Sequence, residues 1–108
     1  LSAIHGAARN EAYAATKGAM LSMIRGLATE LARYQITANT IIPGWIETAM
    51  TAPRVGNELF EDRVIKRVPS RRWGQPEDFA GLAIYLASDA SSYQSGEEFI
   101  VDGGYSRF

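Results

Sequence analysis

Tyr13-Ala14-Ala15-Thr16-Lys17 opens a long amphipathic helical pattern, and the elements on either side take their places from it. Met20, Leu21, Ile24, Leu27, Ala28 and Leu31 recur at three- and four-residue spacing, one apolar stripe facing a core. Asn10 stands where a cap belongs and Glu11 suits the positive helix start, so a helix is predicted from Glu11 to about Arg33. Ala14, Ala15, Gly18 and Ala19 permit close approach of a sheet or a neighbouring subunit, and core packing alone also explains them. Residues four apart lie one above the other, about 6 Å apart along the axis, so Tyr13 and Lys17 point the same way. A phenol titrates near ~10 in water, and an ammonium beside it favours the phenolate, which suits such a pair to moving a proton on or off a hydroxyl or carbonyl oxygen. The spacing alone is equally that of an ordinary helix with an exposed lysine and a half-buried tyrosine.

Beyond that helix, Ile36 to Ile42 alternates little and is bounded by Pro43-Gly44, as a short buried strand of a parallel sheet would be. Ligands of such sheets bind beyond the carboxyl ends of the strands. Pro43-Gly44-Trp45-Ile46-Glu47-Thr48 therefore falls where a cofactor should sit, although a plain helix-start turn capped by Thr48 fits the segment as well. Ala49 to Val68 is polar, with a weak helical pattern through Leu59, Phe60, Val64 and Ile65, and reads as a lid. Trp45, Met50, Leu59 and Phe60 are expected to line a substrate pocket beneath it. Pro76 suits a first helical position, with Glu77 and Asp78 behind it and an apolar stripe of Phe79, Leu82, Ala83 and Leu86 ending near Ser88-Asp89. Ser91 to Gly96 reads as a turn and Glu98 to Val101 as a last strand, closed by Asp102-Gly103-Gly104. On the other side of the opening helix, Leu1 to Gly6 is expected to be the end of a strand running into a loop, with His5 a loop hydrogen-bonder.

The chain has 108 residues, 46% of them hydrophobic, and a net charge of −1, within the range of a single soluble domain. So even a balance argues against nucleic-acid and acidic-membrane partners, which need clustered lysine and arginine. The one basic cluster, Lys66-Arg67 with Arg71-Arg72, reads as a solvated loop face. There is no cysteine and only one histidine, which leaves no disulfide or thiolate metal site and argues against zinc. No apolar run approaches the ~20 residues of a transmembrane helix, and Leu1 to Asn10 does not read as a signal peptide, so a cytoplasmic protein is expected. No internal repeat is present, and no glycine-rich strand-to-helix turn of the kind that cradles a pyrophosphate.

Four stretches occur in one order and at one set of spacings: Tyr13-Ala-Ala-Thr-Lys17-Gly-Ala, Ile36-Thr-Ala-Asn-Thr-Ile-Ile-Pro-Gly44, Arg72-Trp-Gly-Gln-Pro-Glu-Asp78 and Ile100-Val-Asp-Gly-Gly104. Together they closely resemble the C-terminal half of a short-chain dehydrogenase/reductase, over essentially the whole chain. The resemblance implies a Rossmann-like, doubly wound parallel α/β sheet, of which residues 1–108 form the catalytic and substrate-binding half. The dinucleotide-binding half would lie outside this sequence, and with it the residue that separates NAD from NADP. The implied activity is NAD(P)-dependent interconversion of a secondary alcohol and a ketone, with Tyr13 as general acid/base. Lys17 would assist Tyr13 and hydrogen-bond the nicotinamide ribose, Pro43 and Gly44 would adjoin the cofactor, backbone groups near Ile46 would meet its carboxamide, and Thr48 would bond the carboxamide or a phosphate. Ser2 is the candidate for the family's substrate-orienting serine; the usual serine stands three residues before a glycine, where this chain has Ala3, so either the register has changed or that hydroxyl is missing. Asn39 lies in the strand pattern and reads as structural, not as the family's catalytic asparagine. A homotetramer or dimer is implied through the last helix and strand. The rival reading is a non-catalytic oligomerisation module or a decayed fragment of such an enzyme.

Overall fold

The computed structural model describes residues 1–6 and 8–107. Helix α1 spans Glu11–Leu31 and tightens into a 3₁₀ turn at Ala32–Tyr34. Gln35, in the left-handed region at φ 59°, ends it by donating its N–H to the Ala32 carbonyl. Leu21 and Ala28 are buried, Ile24, Leu27 and Leu31 partly so, while Met20 is exposed. Asn10 occupies the cap position without a side-chain bond, because its backbone (φ −133°, ψ 21°) lies outside the extended region that aims a capping oxygen at the first turn. The Glu11 carboxylate instead accepts the N–H of Arg9 at 3.0 Å.

Strand β1 (Thr40–Pro43) pairs in parallel with β2 (Glu98–Val101), in register from Thr40 opposite Glu98 to Pro43 opposite Val101. The last strand lies where its residues predicted it. The first is shorter than expected, because irregular bonds replace the ladder before Thr40. The Asn39 amide donates to the Gln94 carbonyl (2.9 Å) while its oxygen accepts the Glu97 N–H (3.0 Å), which ties the approach to β1 onto the approach to β2. Asn39 is structural, as read from the sequence. The expected strand end before Gly6 is not formed: Ile4 and His5 both donate to the Leu1 carbonyl, folding Leu1 to Ile4 into a turn.

Past β1 the chain descends into the core. Helix α2 (Glu58–Arg63) is capped by the Asn57 side chain, which accepts the Phe60 N–H at 3.0 Å, and 3₁₀ turns stand on either side at Ala52–Arg54 and Ile65–Arg67. Ile65, Val68 and Trp73 are buried together, with Trp45, Phe60, Val64 and Tyr105 packed against them. The segment expected to be a polar lid therefore supplies two of the three buried centres. A 3₁₀ turn at Pro76–Phe79 runs on as α3 (Ala80–Leu86), two residues short of the expected stop. Among the described residues no helix is long and apolar enough to cross a membrane.

Candidate active site

Tyr13 lies in the first turn of α1, its side chain 44% exposed, and the Lys17 ammonium nitrogen sits 5.4 Å from the centre of its ring. The helix thus brings the pair together as its spacing demands. The exposed Thr16 donates its hydroxyl to the Tyr13 carbonyl at 2.7 Å and so is engaged by the helix backbone. Ser2 belongs to the turn at Leu1 to Ile4, which reaches both halves of the site. The Leu1 nitrogen donates to the Pro43 carbonyl at the end of β1 (3.0 Å), and the Ala3 carbonyl oxygen lies against Gly18, one residue beyond Lys17.

At the carboxyl end of β1, residues 44–48 form a strap. The Gly44 N–H donates to the Val101 carbonyl at 2.9 Å, so close that a Cβ on Gly44 would stand 2.6 Å from the Asp102 Cα. Only glycine passes there without moving backbone. Ile46 then forms a parallel bridge with Gly74: Gly74 donates to the Trp45 carbonyl (2.8 Å) and accepts the Glu47 N–H (2.9 Å). Ladder geometry turns the N–H and C=O of Ile46 itself away from Gly74. Its carbonyl accepts the Thr51 hydroxyl at 2.6 Å, and the same Thr51 oxygen accepts the Thr48 N–H at 2.8 Å. The Thr48 side chain is exposed. A backbone N–H and a hydroxyl displayed on a strap beyond a parallel strand suit the carboxamide end of a nicotinamide.

The strap is braced from residues 72–78. The Arg72 guanidinium grips both oxygens of Asp78 (2.7 and 2.8 Å) and donates also to the Trp73 carbonyl, while Asp78 Oδ2 accepts the Gln75 N–H at 2.7 Å. The bond from Arg72, with that from Gln75 behind it, holds the Asp78 carboxyl down at about 2, and the same fork raises Arg72 further above its ordinary value. At the end of β2, burial works against charge on Asp102, yet the hydrogen bonds from Ser106 and Gly104 outweigh it and lower its pKa. The basic cluster is engaged within the chain: Lys66 pairs with Asp62, Arg71 bonds the Lys66 carbonyl, and the Arg67 guanidinium lies 5.9 Å from the Tyr105 ring centre.

The four side chains expected to line one pocket differ in burial. Trp45 and Phe60 meet edge to face at 5.2 Å, and Phe60 stacks on Trp73 at 5.5 Å, so both are built into the aromatic core. Met50 and Leu59 are 76% and 59% exposed. Behind the strap a cavity of about 180 Å³ is lined by Trp45, Ile46, Arg72, Asp78 and Asp102 among others; Tyr13 is not part of its wall. Among the described residues no cluster of three metal-ligating side chains occurs. The sequence reading missed Thr51 and the bracing role of Gly74. The signal for Thr51 was its place three residues after Thr48, the spacing at which a hydroxyl reaches back to a backbone N–H. For Gly74 there was none, since its partner lies 28 positions earlier.

A family model described as Enoyl-(Acyl carrier protein) reductase matches residues 1–106. The chain is 47% identical over 94 residues to a 2-dehydro-3-deoxy-D-gluconate 5-dehydrogenase of Formosa agariphila, covering 86% of this chain and 36% of that protein. It is 45% identical over 92 residues to the 5-keto-D-gluconate 5-reductase of Escherichia coli, covering 85% of this chain and again 36% of the relative. The structure superimposes, with a TM-score of 0.93 and 38% identity, on a gluconate 5-dehydrogenase from Burkholderia cenocepacia in complex with NADP and tartrate, covering 99% of this chain and 42% of that one. The chain thus spans little more than a third of the length of the curated relatives it matches. Its parallel pair of strands and their helices are part of a Rossmann-like α/β fold, and the chain belongs to the short-chain dehydrogenase/reductase family.

Proposed function

We propose that these residues are the catalytic and substrate-binding half of an NAD(P)-dependent oxidoreductase that interconverts a secondary alcohol and a ketone. The observation that carries the reading is the placement of Tyr13 and Lys17, one turn apart and together on α1, with the turn at Leu1 to Ile4 linking that helix to the strap. The dinucleotide-binding residues would come from outside the 108, in keeping with the share of each relative that is matched.

The strap fits the nicotinamide end of the cofactor, since Ile46 displays its backbone N–H, Thr48 its hydroxyl, and Pro43 and Gly44 hold the approach tight against β2. When bound, NAD(P)H supplies a hydride to the carbonyl carbon. Tyr13 gives its phenolic proton to the carbonyl oxygen in reduction and takes it back in oxidation. Lys17 places a positive charge beside the ring, stabilising negative charge on the phenol oxygen, and holds the cofactor's ribose. Ser2 orients the substrate oxygen from the turn next to Gly18. Met50 and Leu59, exposed on the segment after the strap, close over the substrate, with Trp45 and Phe60 forming the fixed wall behind them.

The relatives act on gluconate derivatives, so the substrate class proposed is a polyhydroxylated sugar acid or its keto form. Exposed Ile84 on α3 and Tyr93 before β2 support self-association into a dimer or tetramer, and use of a soluble nicotinamide cofactor suits a cytoplasmic enzyme. The test is Tyr13→Phe in the complete gene product. Turnover of 5-keto-D-gluconate with NADPH, followed by absorbance, should fall by 10³-fold or more, on the order of what a positioned acid contributes together with the charge it carries, while dinucleotide affinity stays within about twofold. Sustained turnover in that variant would remove Tyr13 from the chemistry. A wild-type protein with no dinucleotide affinity would favour the oligomerisation module instead.

A further inference from the structure

One hydroxyl, that of Thr51, ties together the two strap groups assigned to the cofactor. Its oxygen lies 2.6 Å from the Ile46 carbonyl and 3.2 Å from the Thr48 carbonyl, accepts the Thr48 N–H at 2.8 Å, and stands 3.2 Å from the Thr48 hydroxyl. A hydroxyl has one proton and two lone pairs. The shorter contact to Ile46 takes the proton, and the Thr48 N–H takes one lone pair. With that proton already given to Ile46, the 3.2 Å contact between the two hydroxyls leaves Thr48 as its donor. Its proton is thereby committed, and its own lone pairs are left free on an exposed side chain.

We infer that Thr51 is a positioning residue that makes the Thr48 hydroxyl an acceptor for the carboxamide N–H of the nicotinamide. The inference rests on the dinucleotide reading given above and narrows it. An amide N–H is the donor that such an oxygen needs; a phosphate offers only acceptors, and would require Thr48 to break its bond to Thr51. Thr48 is thus assigned to the ring end of the cofactor and not to its diphosphate. Thr51 needs no contact with cofactor or substrate to do this. It acts through Thr48 and through the Ile46 carbonyl, closing residues 46–51 into a clasp.

The experiment compares Thr51→Val, which keeps the branched shape and removes the hydroxyl, with Thr51→Ser, which keeps the hydroxyl, in the complete gene product. Two probes are titrated at equilibrium: the dinucleotide that the wild type binds, and its 3-acetylpyridine analogue, which lacks the amide N–H. Thr51→Val should weaken the natural dinucleotide about tenfold, the worth of one well-placed hydrogen bond, and Thr51→Ser should recover nearly all of it. For the analogue, Thr51→Val should cost no more than about twofold, since the matching donor is already absent. In the cofactor-free protein the Thr48 amide should exchange with solvent faster in Thr51→Val than in wild type or Thr51→Ser, with the amides of α1 unchanged as a control on folding.

An equal loss for both probes, a serine variant as weak as the valine one, or unaltered affinity in Thr51→Val would each overturn the inference. A wild type that binds neither probe would sink the cofactor reading itself and this inference with it. A wild type that binds while Thr51→Val changes nothing would sink the inference alone.

Discussion

Asp78 shows how much one carboxylate can hold. It accepts both arms of Arg72 and the Gln75 N–H, and so closes the start of α3 onto the loop that carries Gly74. Lysine has no planar fork and could not replace Arg72 in this grip. Because the folded-state pKa of Asp78 is depressed from 3.8 to about 2, the group's contribution to stability is present above the unfolded value and is lost as pH falls toward the folded one. Acid titration of the unfolding midpoint should therefore show a decline between about pH 4 and pH 2 that Asp78→Asn removes, leaving a variant less stable at neutral pH and flatter in acid. A decline of equal size in the variant would show that other carboxylates carry it. Nothing in a single sequence marks this fork, since Arg72 and Asp78 are six positions apart and meet only because the chain turns at Gly74 and Pro76.

At the scale of elements, α1 and β2 were legible because each announces itself locally, the one by a stripe at helical period and the other by a compact apolar run between turn residues. The segment after the strap was not. Its average polarity suggests a lid, yet its burial is decided by a few residues, Phe60, Ile65 and Val68, which find Trp45 and Trp73 from distant parts of the chain. With only six residues, α2 is too short to persist alone. It is held by the Phe60 ring and by Glu61, whose carboxylate accepts the Trp73 indole N–H at 2.7 Å. Phe60→Ala should lower stability by about 2 kcal/mol in urea unfolding, as expected for removing a largely buried aromatic ring, and should deprotect the α2 amides first. A loss of substrate affinity at unchanged stability would instead give Phe60 to the pocket rather than to the core.

These 108 residues are more open than their number requires. Their radius of gyration is 15.7 Å where a compact chain of this size has about 13 Å. Their accessible surface is 7564 Å² where a compact monomer of 11.8 kDa exposes about 5,900 Å². The excess, about 1,650 Å² on this chain, is about twice one partner's share of a standard interface, room for both the dinucleotide-binding half proposed above and a second copy. Much of it is apolar: Met20 and Met23 on α1, Ile84 on α3 and Tyr93 before β2 all stand in solvent. If α3 joins two copies, light scattering should give the complete gene product a mass of two or four subunits, and Ile84→Glu should shift it to a smaller species without loss of helical signal. A wild-type mass of one subunit, or an unaltered mass in the variant, would exclude this face.

The join between the strap and its brace is made by main-chain atoms. Gly74 bonds the carbonyl of Trp45 and the N–H of Glu47, and neither bond depends on which side chain those positions carry. Replacement at position 47 can thus change the side chain displayed beside the strap while the peptide groups stay where they are, whereas at position 45 it would also disturb the aromatic core. On the function proposed above, such an arrangement would let the surface beside the strap vary by single substitutions while the strap itself keeps its place.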